Sequence, residues 1–404
     1  MKGMFDRFTT AIVGVVAFML LAESGVAQTY TVLYRFSAGY DGSTPMAGLF
    51  RDSAGSLYGT TYAGGMYSLG TIFELAADGD EGPLYSFNGS GDGQNPVVGV
   101  VGDAKGNLYG TTPLGGSASE CEHQCGETFE LTSTGSFEIL HSFGTRLDGA
   151  TPEAPVILDA KDNVYGTTAE GGNTSCGSCG VVYAITAGEK ETVVHRFGSH
   201  PGDGKIPLGG LLADPAGNGY GTTSAGGTSG AGTVYKIDGT THQESVFYSF
   251  TGGDDGGVPY GSLVRDSAGN LYGTTSRGGA FAQGAVFELN ASGTETVLYS
   301  FTGGADGGVP QAGLAIDSAG NLYGTTTAGG DTLCALQGCG VIFEVNASRT
   351  ETTLYPFPGG IEGALSFGGL ILDSSGNLYG TASIGGNVGG TCGGGCGVVF
   401  ELTP

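Results

Sequence analysis

A ten-residue string, DSAGNLYGTT, stands at residues 266–275 and again at 317–326, and variants of it recur through the chain. Its tyrosine falls at Tyr58, Tyr109, Tyr165, Tyr220, Tyr272, Tyr323 and Tyr379, in steps of 51 to 56 residues. Six residues ahead of each stands an aspartate: Asp52, Asp103, Asp159, Asp214, Asp266, Asp317 and Asp373. Two further signatures keep the period. One is Gly-x-x-Phe/Tyr, from Gly70 to Gly397; the other is a YSF-type segment ending at Phe36, Phe87, Phe143, Phe197, Phe250, Phe301 and Phe357. A chain written this way must satisfy one structural demand seven times.

Each repeat holds four short segments rich in β-formers, as in QAGLAID, NLYGTT, GVIFEVN and ETTLYPF, separated by Gly, Asp, Asn and Ser. Four strands in such a period predict an all-β, seven-bladed β-propeller with four strands per blade. Alternation of polar and apolar residues is weak in the first three segments, as for strands buried on both faces between neighbouring blades. A calcium-binding β-helix would need a far shorter period. The 82 glycines follow no Gly-X-Y rule and 39% of the residues are apolar, which excludes collagen and wholesale disorder. Within DSAGN the aspartate is expected to cap the turn and the glycine to take the left-handed conformation, a place that Asp162 fills in DAKDNVYG.

The chain divides into two parts. Residues 1–27 read as a secretory signal peptide: Lys2 and Arg7, an apolar run from Ala11 to Ala22, and a small-residue site at Gly25, Val26 and Ala27. Residues 28–404 read as a single propeller domain, with no membrane span once the signal is removed. A net charge of −25 and the lack of any basic stripe argue against nucleic acid and anionic membranes as partners.

The run PxxGLxxDxxGNLYG resembles NHL-type propeller repeats, in which the segment before the Asp is innermost and NLY second. That resemblance makes GxVFEL the third strand and ETVLYSF the outermost. The chain starts with an outermost segment, Tyr30 to Phe36, and its last segment, Gly397 to Leu402, is a third strand. The N-terminal strand is therefore expected to complete the last blade and close the ring. The pattern YSFTGGxDGxxPxAGLxxDSAGNLYGTTxxGGxxxxGxVFEL also resembles the GloVer-type tandem repeat of secreted bacterial choice-of-anchor proteins. That resemblance implies a propeller and export, brings no established activity, and finds no anchoring signal in the closing FELTP.

All eight cysteines fall in close pairs: Cys121 with Cys125, Cys176 with Cys179, Cys334 with Cys339, and Cys392 with Cys396. Each pair sits between GG and the GxxF strand, in repeats whose loop there is longer than in the other three. Export favours disulfides that staple these loops, the rival being four-cysteine zinc sites shared by adjacent repeats. In a four-stranded blade these loops share one rim with the FxGGxDGxxP loops that lead to the next blade. The latter carry Asp41, Asp92, Asp148, Asp203, Asp255 and Asp306, with Glu362 in seventh place. This ring of carboxylates is a candidate for binding cations or sugar hydroxyls, against recurring Asp-Gly turns. One carboxylate per loop is thin for calcium, and no cofactor is expected. Glu120, Glu122 and His123, in SECEHQC, form the one polar cluster that breaks the repeat, with Glu122 and His123 as ligand-binding candidates.

No nucleophile motif, zinc-binding His pair or phosphate loop stands out, and His141 and His195 take the Tyr place of the YSF segment. The sequence reads as a monomeric binding module, secreted, periplasmic or at the cell surface, taking carbohydrate or an extracellular protein on the stapled rim. The alternatives are a propeller enzyme acting on polysaccharide or lactone, and a structural envelope protein.

Overall fold

The computed structural model describes residues 28–116, 125–144, 147–173, 176, 179–186, 190–330, 334, 338–387 and 392–403. These form seven four-stranded antiparallel sheets in a ring. Blade five is typical, running from the axis outward through Val264–Arg265, Leu271–Thr275, Ala285–Leu289 and Glu295–Ser300. Blade seven takes Ile371–Leu372, Leu378–Ala382 and Val398–Thr403 from the C-terminal end and Thr29–Arg35 from the N-terminal end. The last two pair antiparallel from Thr29 opposite Thr403 to Arg35 opposite Val398, so the ring closes as the sequence predicts.

Residues 317–326 show why the ten letters recur. Asp317 Oδ1 accepts the N–H groups of Ala319 and Asn321, both at 2.8 Å, while Oδ2 accepts the Asn321 amide at 2.9 Å and the Tyr323 hydroxyl at 3.1 Å. Gly320 supplies the positive φ of 86° that the turn requires; Asp162 does so at 60° in repeat three. Gly324 leaves the socket for the third-strand ring: a Cβ there would stand 2.6 Å from Phe343 Cζ. Thr325 Oγ1 donates to the Ser366 carbonyl of the next blade at 3.3 Å. Thr326 Oγ1 donates to Ala328 O at 2.9 Å and accepts the Val341 N–H at 3.0 Å, binding second strand to third. The same hook closes the ring, from Thr381 Oγ1 to Ala47 O at 2.7 Å.

The core is a set of seven leaves between blades rather than one central mass. In each, the Phe that ends one outer strand meets the third-strand Phe or Tyr of the next blade edge to face. Phe250 on Phe287 is one such pair; across the seven, centroids are 4.9–5.6 Å apart and planes 63–69°. Such pairs add about 0.5–1.5 kcal/mol each beyond their burial. The innermost segments differ from expectation: only two residues of each pair in the ladder. Around the axis their glycines approach backbone to backbone instead, so that a Cβ on Gly99 would lie 2.3 Å from Gly48 O.

Candidate functional site

The rim loops hold their aspartates inward. Asp41 accepts the Ser37 N–H and hydroxyl at 2.7 Å, the Gly39 N–H at 3.1 Å and the Tyr34 hydroxyl at 3.0 Å. Asp92 accepts Tyr85, and Asp255 and Asp306 accept Tyr248 and Tyr299 together with the Thr that opens each loop. Asp148 and Asp203 face His141 and His195 in the same geometry, and Glu362 accepts Tyr355. These carboxylates therefore lie at seven separate junctions between blades, each bonded within its own loop. Glu122 and His123 lie outside the described residues.

Behind these aspartates stands a second set of carboxylates that sequence reasoning missed. Glu81 and Glu295 open outer strands and pack beside Asp41 and Asp255 of the preceding loop. Burial pushes Glu295 up to about 7, and the charge of Asp255 adds to the rise. Burial takes Glu81 to about 7 as well, with the Tyr34 hydroxyl pulling against it and Asp41 adding to it. Glu127, buried at the start of a third strand, reaches about 7 by burial even though the Ser142 hydroxyl donates to it at 2.7 Å.

Between pH 4.5 and 7 the folded protein thus holds more protons on these groups than the unfolded chain, and stability falls as pH rises. At the turns the sign reverses. Burial opposes ionisation of Asp317, but hydrogen bonds from Asn321 outweigh it and hold its carboxyl below the usual range, as at Asp159, Asp214, Asp266 and Asp373. Their contribution is lost as pH falls below about 3.8. Thermal unfolding is therefore expected to show its highest midpoint near pH 4 to 5, falling toward pH 8, with Glu295→Gln flattening the alkaline limb. A midpoint that rises steadily from pH 5 to 8 would contradict the assignment.

Three staples are described: Cys176–Cys179, Cys334–Cys339 and Cys392–Cys396, with Cα atoms 6.0, 5.1 and 5.3 Å apart. Cys125 is disulfide-bonded too, while its expected partner Cys121 lies outside the described residues. The second cysteine of each staple offers its carbonyl to a backbone N–H of the next blade: Cys125 to Thr151, Cys179 to Ile206, Cys339 to Leu365 and Cys396 to Thr44, at 2.7–3.1 Å. Each of these four donors has φ between 57° and 58°, a conformation that bulky and β-branched residues resist, and stands two positions before a residue at the channel mouth. The three repeats without cysteine make the same bond, from Asn95, Val258 and Val309 to Leu69, Ala231 and Gln283, so the contact belongs to the fold and the staples sit directly beside it.

That entrance is ringed by one residue from each repeat: Met46, Val97, Glu153, Leu208, Tyr260, Gln311 and Phe367. They line a 480 Å³ cavity whose wall below is mostly glycine, leucine and valine. Six of these positions follow the repeated proline and the seventh follows Ser366, and they differ in every repeat, a signal the sequence offered in the midst of near-identical letters. Glu153 is the sole carboxylate of this lining, its pKa raised by burial and by the charge of Glu170. Large apolar side chains are exposed on the same face: Tyr40, Met66, Tyr67, Leu147, Phe281 and Ile361 are more than half exposed, and Tyr62 and Tyr260 somewhat less. Among the described residues the remaining two, Leu84 and Ile139, lie in outer strands, and the opposite face has none.

Seven blades, four of them carrying a cysteine pair, around an open-mouthed channel define a β-propeller with one differentiated face. The chain belongs to the Gloeobacter/Verrucomicrobia repeat family, which matches residues 14–214 and again 207–404. A search of curated proteins finds no match. Among solved structures it is similar to the extracellular domain of a one component system from B. thetaiotaomicron, with 12% identity, a TM-score of 0.55, and coverage of 93% of this chain and 40% of that one. It is also similar to a gluconolactonase from Xanthomonas campestris (16% identity, TM-score 0.42, 73% and 85% covered). A third is the PQQ-bound aldose sugar dehydrogenase from Streptomyces coelicolor (12%, 0.43, 93% and 98%). At these identities the likeness is one of fold alone.

Proposed function

We propose that the protein is an exported binding module that takes a carbohydrate chain on the stapled face, across the channel mouth. The observation that carries this reading is the confinement of exposed aromatic side chains to that face, around a mouth whose seven residues differ while their scaffold repeats. Tyr260 and Phe367 offer flat apolar surfaces for sugar rings, and Gln311 and Glu153 offer hydrogen bonds to hydroxyls. The net charge of −25 favours a neutral glycan over an anionic one. Asp41, Asp92, Asp148, Asp203, Asp255 and Asp306 serve in this reading by holding the rim loops that frame the mouth. A hydrolase would need an acid and a base within reach of one bond, and the described lining of the channel supplies a single carboxylate, Glu153.

Native electrophoresis through gels cast with different neutral polysaccharides tests the reading. Retardation by a subset is expected, with Tyr260→Ala plus Phe367→Ala weakening binding about tenfold or more and reduction of the disulfides weakening it too. Free migration in every gel would contradict it, and cleared substrate along the lane would replace the module by an enzyme.

A further inference from the structure

One of the seven blade junctions departs from the rest in its chemistry. At five of them the YSF-type position carries Tyr, and at two it carries His141 or His195. The loop after His195 is one residue longer than its six counterparts, since Asp203 stands six residues past Phe197 where Asp255 stands five past Phe250. That longer loop brings in a second imidazole, His200. The first residue of the next blade's outer strand, Glu244, completes the group.

The four side chains converge. Asp203 Oδ2 lies 3.4 Å from His195 Nε2 and 4.0 Å from His200 Nε2, and Glu244 Oε2 lies 4.0 and 3.4 Å from the same two nitrogens. His195, Asp203 and Glu244 each offer one ligand atom within 4.8 Å of the others. Tetrahedral ligands at about 2.0–2.1 Å from an ion stand about 3.3 Å apart, so these three need a modest contraction and half-exposed His200 must turn inward to join them. The side chains of Asp203 and Glu244 are 0% and 1% exposed. Asp203 Oδ1, Glu244 Oε1 and His195 Nε2 are buried without a hydrogen-bond partner. Half-exposed His200 borders a 640 Å³ cleft that gives an ion a path in.

We infer that His195, His200, Asp203 and Glu244 form a binding site for a divalent transition metal of the zinc class, tying blade three to blade four. Two neutral imidazoles and two carboxylates balance a dication. The nitrogen pair selects zinc-like ions over magnesium or calcium, which take all-oxygen sets. With four protein ligands the site is closed, so the ion acts as a structural tie and not a catalyst.

Tag-free, oxidised protein is stripped with chelator and titrated with zinc alone and with cobalt(II) alone. One zinc per chain is expected, with the visible absorption of four-coordinate cobalt and a higher unfolding temperature on zinc addition. His195→Tyr with His200→Ala is expected to lower zinc affinity at least about a hundredfold, since losing even a ligand's supporting contact costs about 10 to 100-fold. That variant rebuilds the Tyr-Asp-Glu junction found at Tyr248, Asp255 and Glu295, and the single exposed-loop change His200→Ala guards against misfolding. His141→Tyr should leave binding unchanged. The proposal is overturned if wild type takes up no zinc at micromolar metal, or if the double variant binds it as wild type does.

Discussion

Removing residues 1–36 is expected to abolish the cooperative unfolding shown by a chain that begins at residue 28 and to drive the protein into aggregates. Residues 28–36 supply the outer strand of blade seven, and without them Val398–Thr403 becomes a free edge. The loss reaches past one strand. Tyr30 stacks on Tyr355 at 4.0 Å and packs on Phe400, and its hydroxyl donates to Glu362 O at 2.6 Å. Phe36, fully buried, leaves the leaf it forms with Phe73 of blade one. Loss of that ring alone costs about 3–5 kcal/mol, a large part of the stability of most domains. Calorimetry and size-exclusion chromatography measure the effect, and a peptide of residues 28–38 added in trans should restore a monomeric, cooperative species. A truncated chain that stays monomeric and melts at the wild-type midpoint would mean that the ring does not depend on this closure.

Gly273→Ala is expected to destabilise the protein by about 2 kcal/mol, although alanine favours a strand no less than glycine does. The added Cβ would lie 2.7 Å from Phe287 Cζ and 2.9 Å from Leu263 Cδ2, and Phe287 is itself pinned by Phe250 at 5.1 Å. The ring has nowhere to go, because both partners are fully or almost fully buried. Pairing the change with Phe287→Leu opens the socket, so the double variant should lose clearly less than the sum of the singles in denaturant unfolding. Strict additivity would contradict the socket.

Much of this architecture was legible because the demands repeat. A period with four β segments named the propeller, and the Asp, Gly and Tyr of DSAGNLYG fall where a capped turn needs them. The Thr hooks were hidden, since Thr325 bonds to Ser366 across a blade boundary that local reading does not see. The inner segments read as full strands, yet glycine contacts such as Gly48 with Gly99 replace the ladder at the crowded axis. The rim aspartates were visible as a set, but their internal bonding to Tyr34, Tyr248 and Tyr299 depends on how the loops fold back. The channel mouth was the least visible part. Met46, Glu153, Tyr260 and Phe367 share no residue type, so only their common place after a proline or Ser366 links them.

The central claim is that one face of the propeller receives the ligand. Hydroxyl-radical footprinting in the presence of a polysaccharide that retards the protein tests it most directly. Protection is predicted at Tyr40, Tyr62, Tyr67, Tyr260 and Phe281 on the stapled face, with Leu84 and Ile139 on the blade flanks unchanged. Protection confined to the flanks, or to the Asp-turn face that carries Asp52, Asp266 and Asp317, would contradict it.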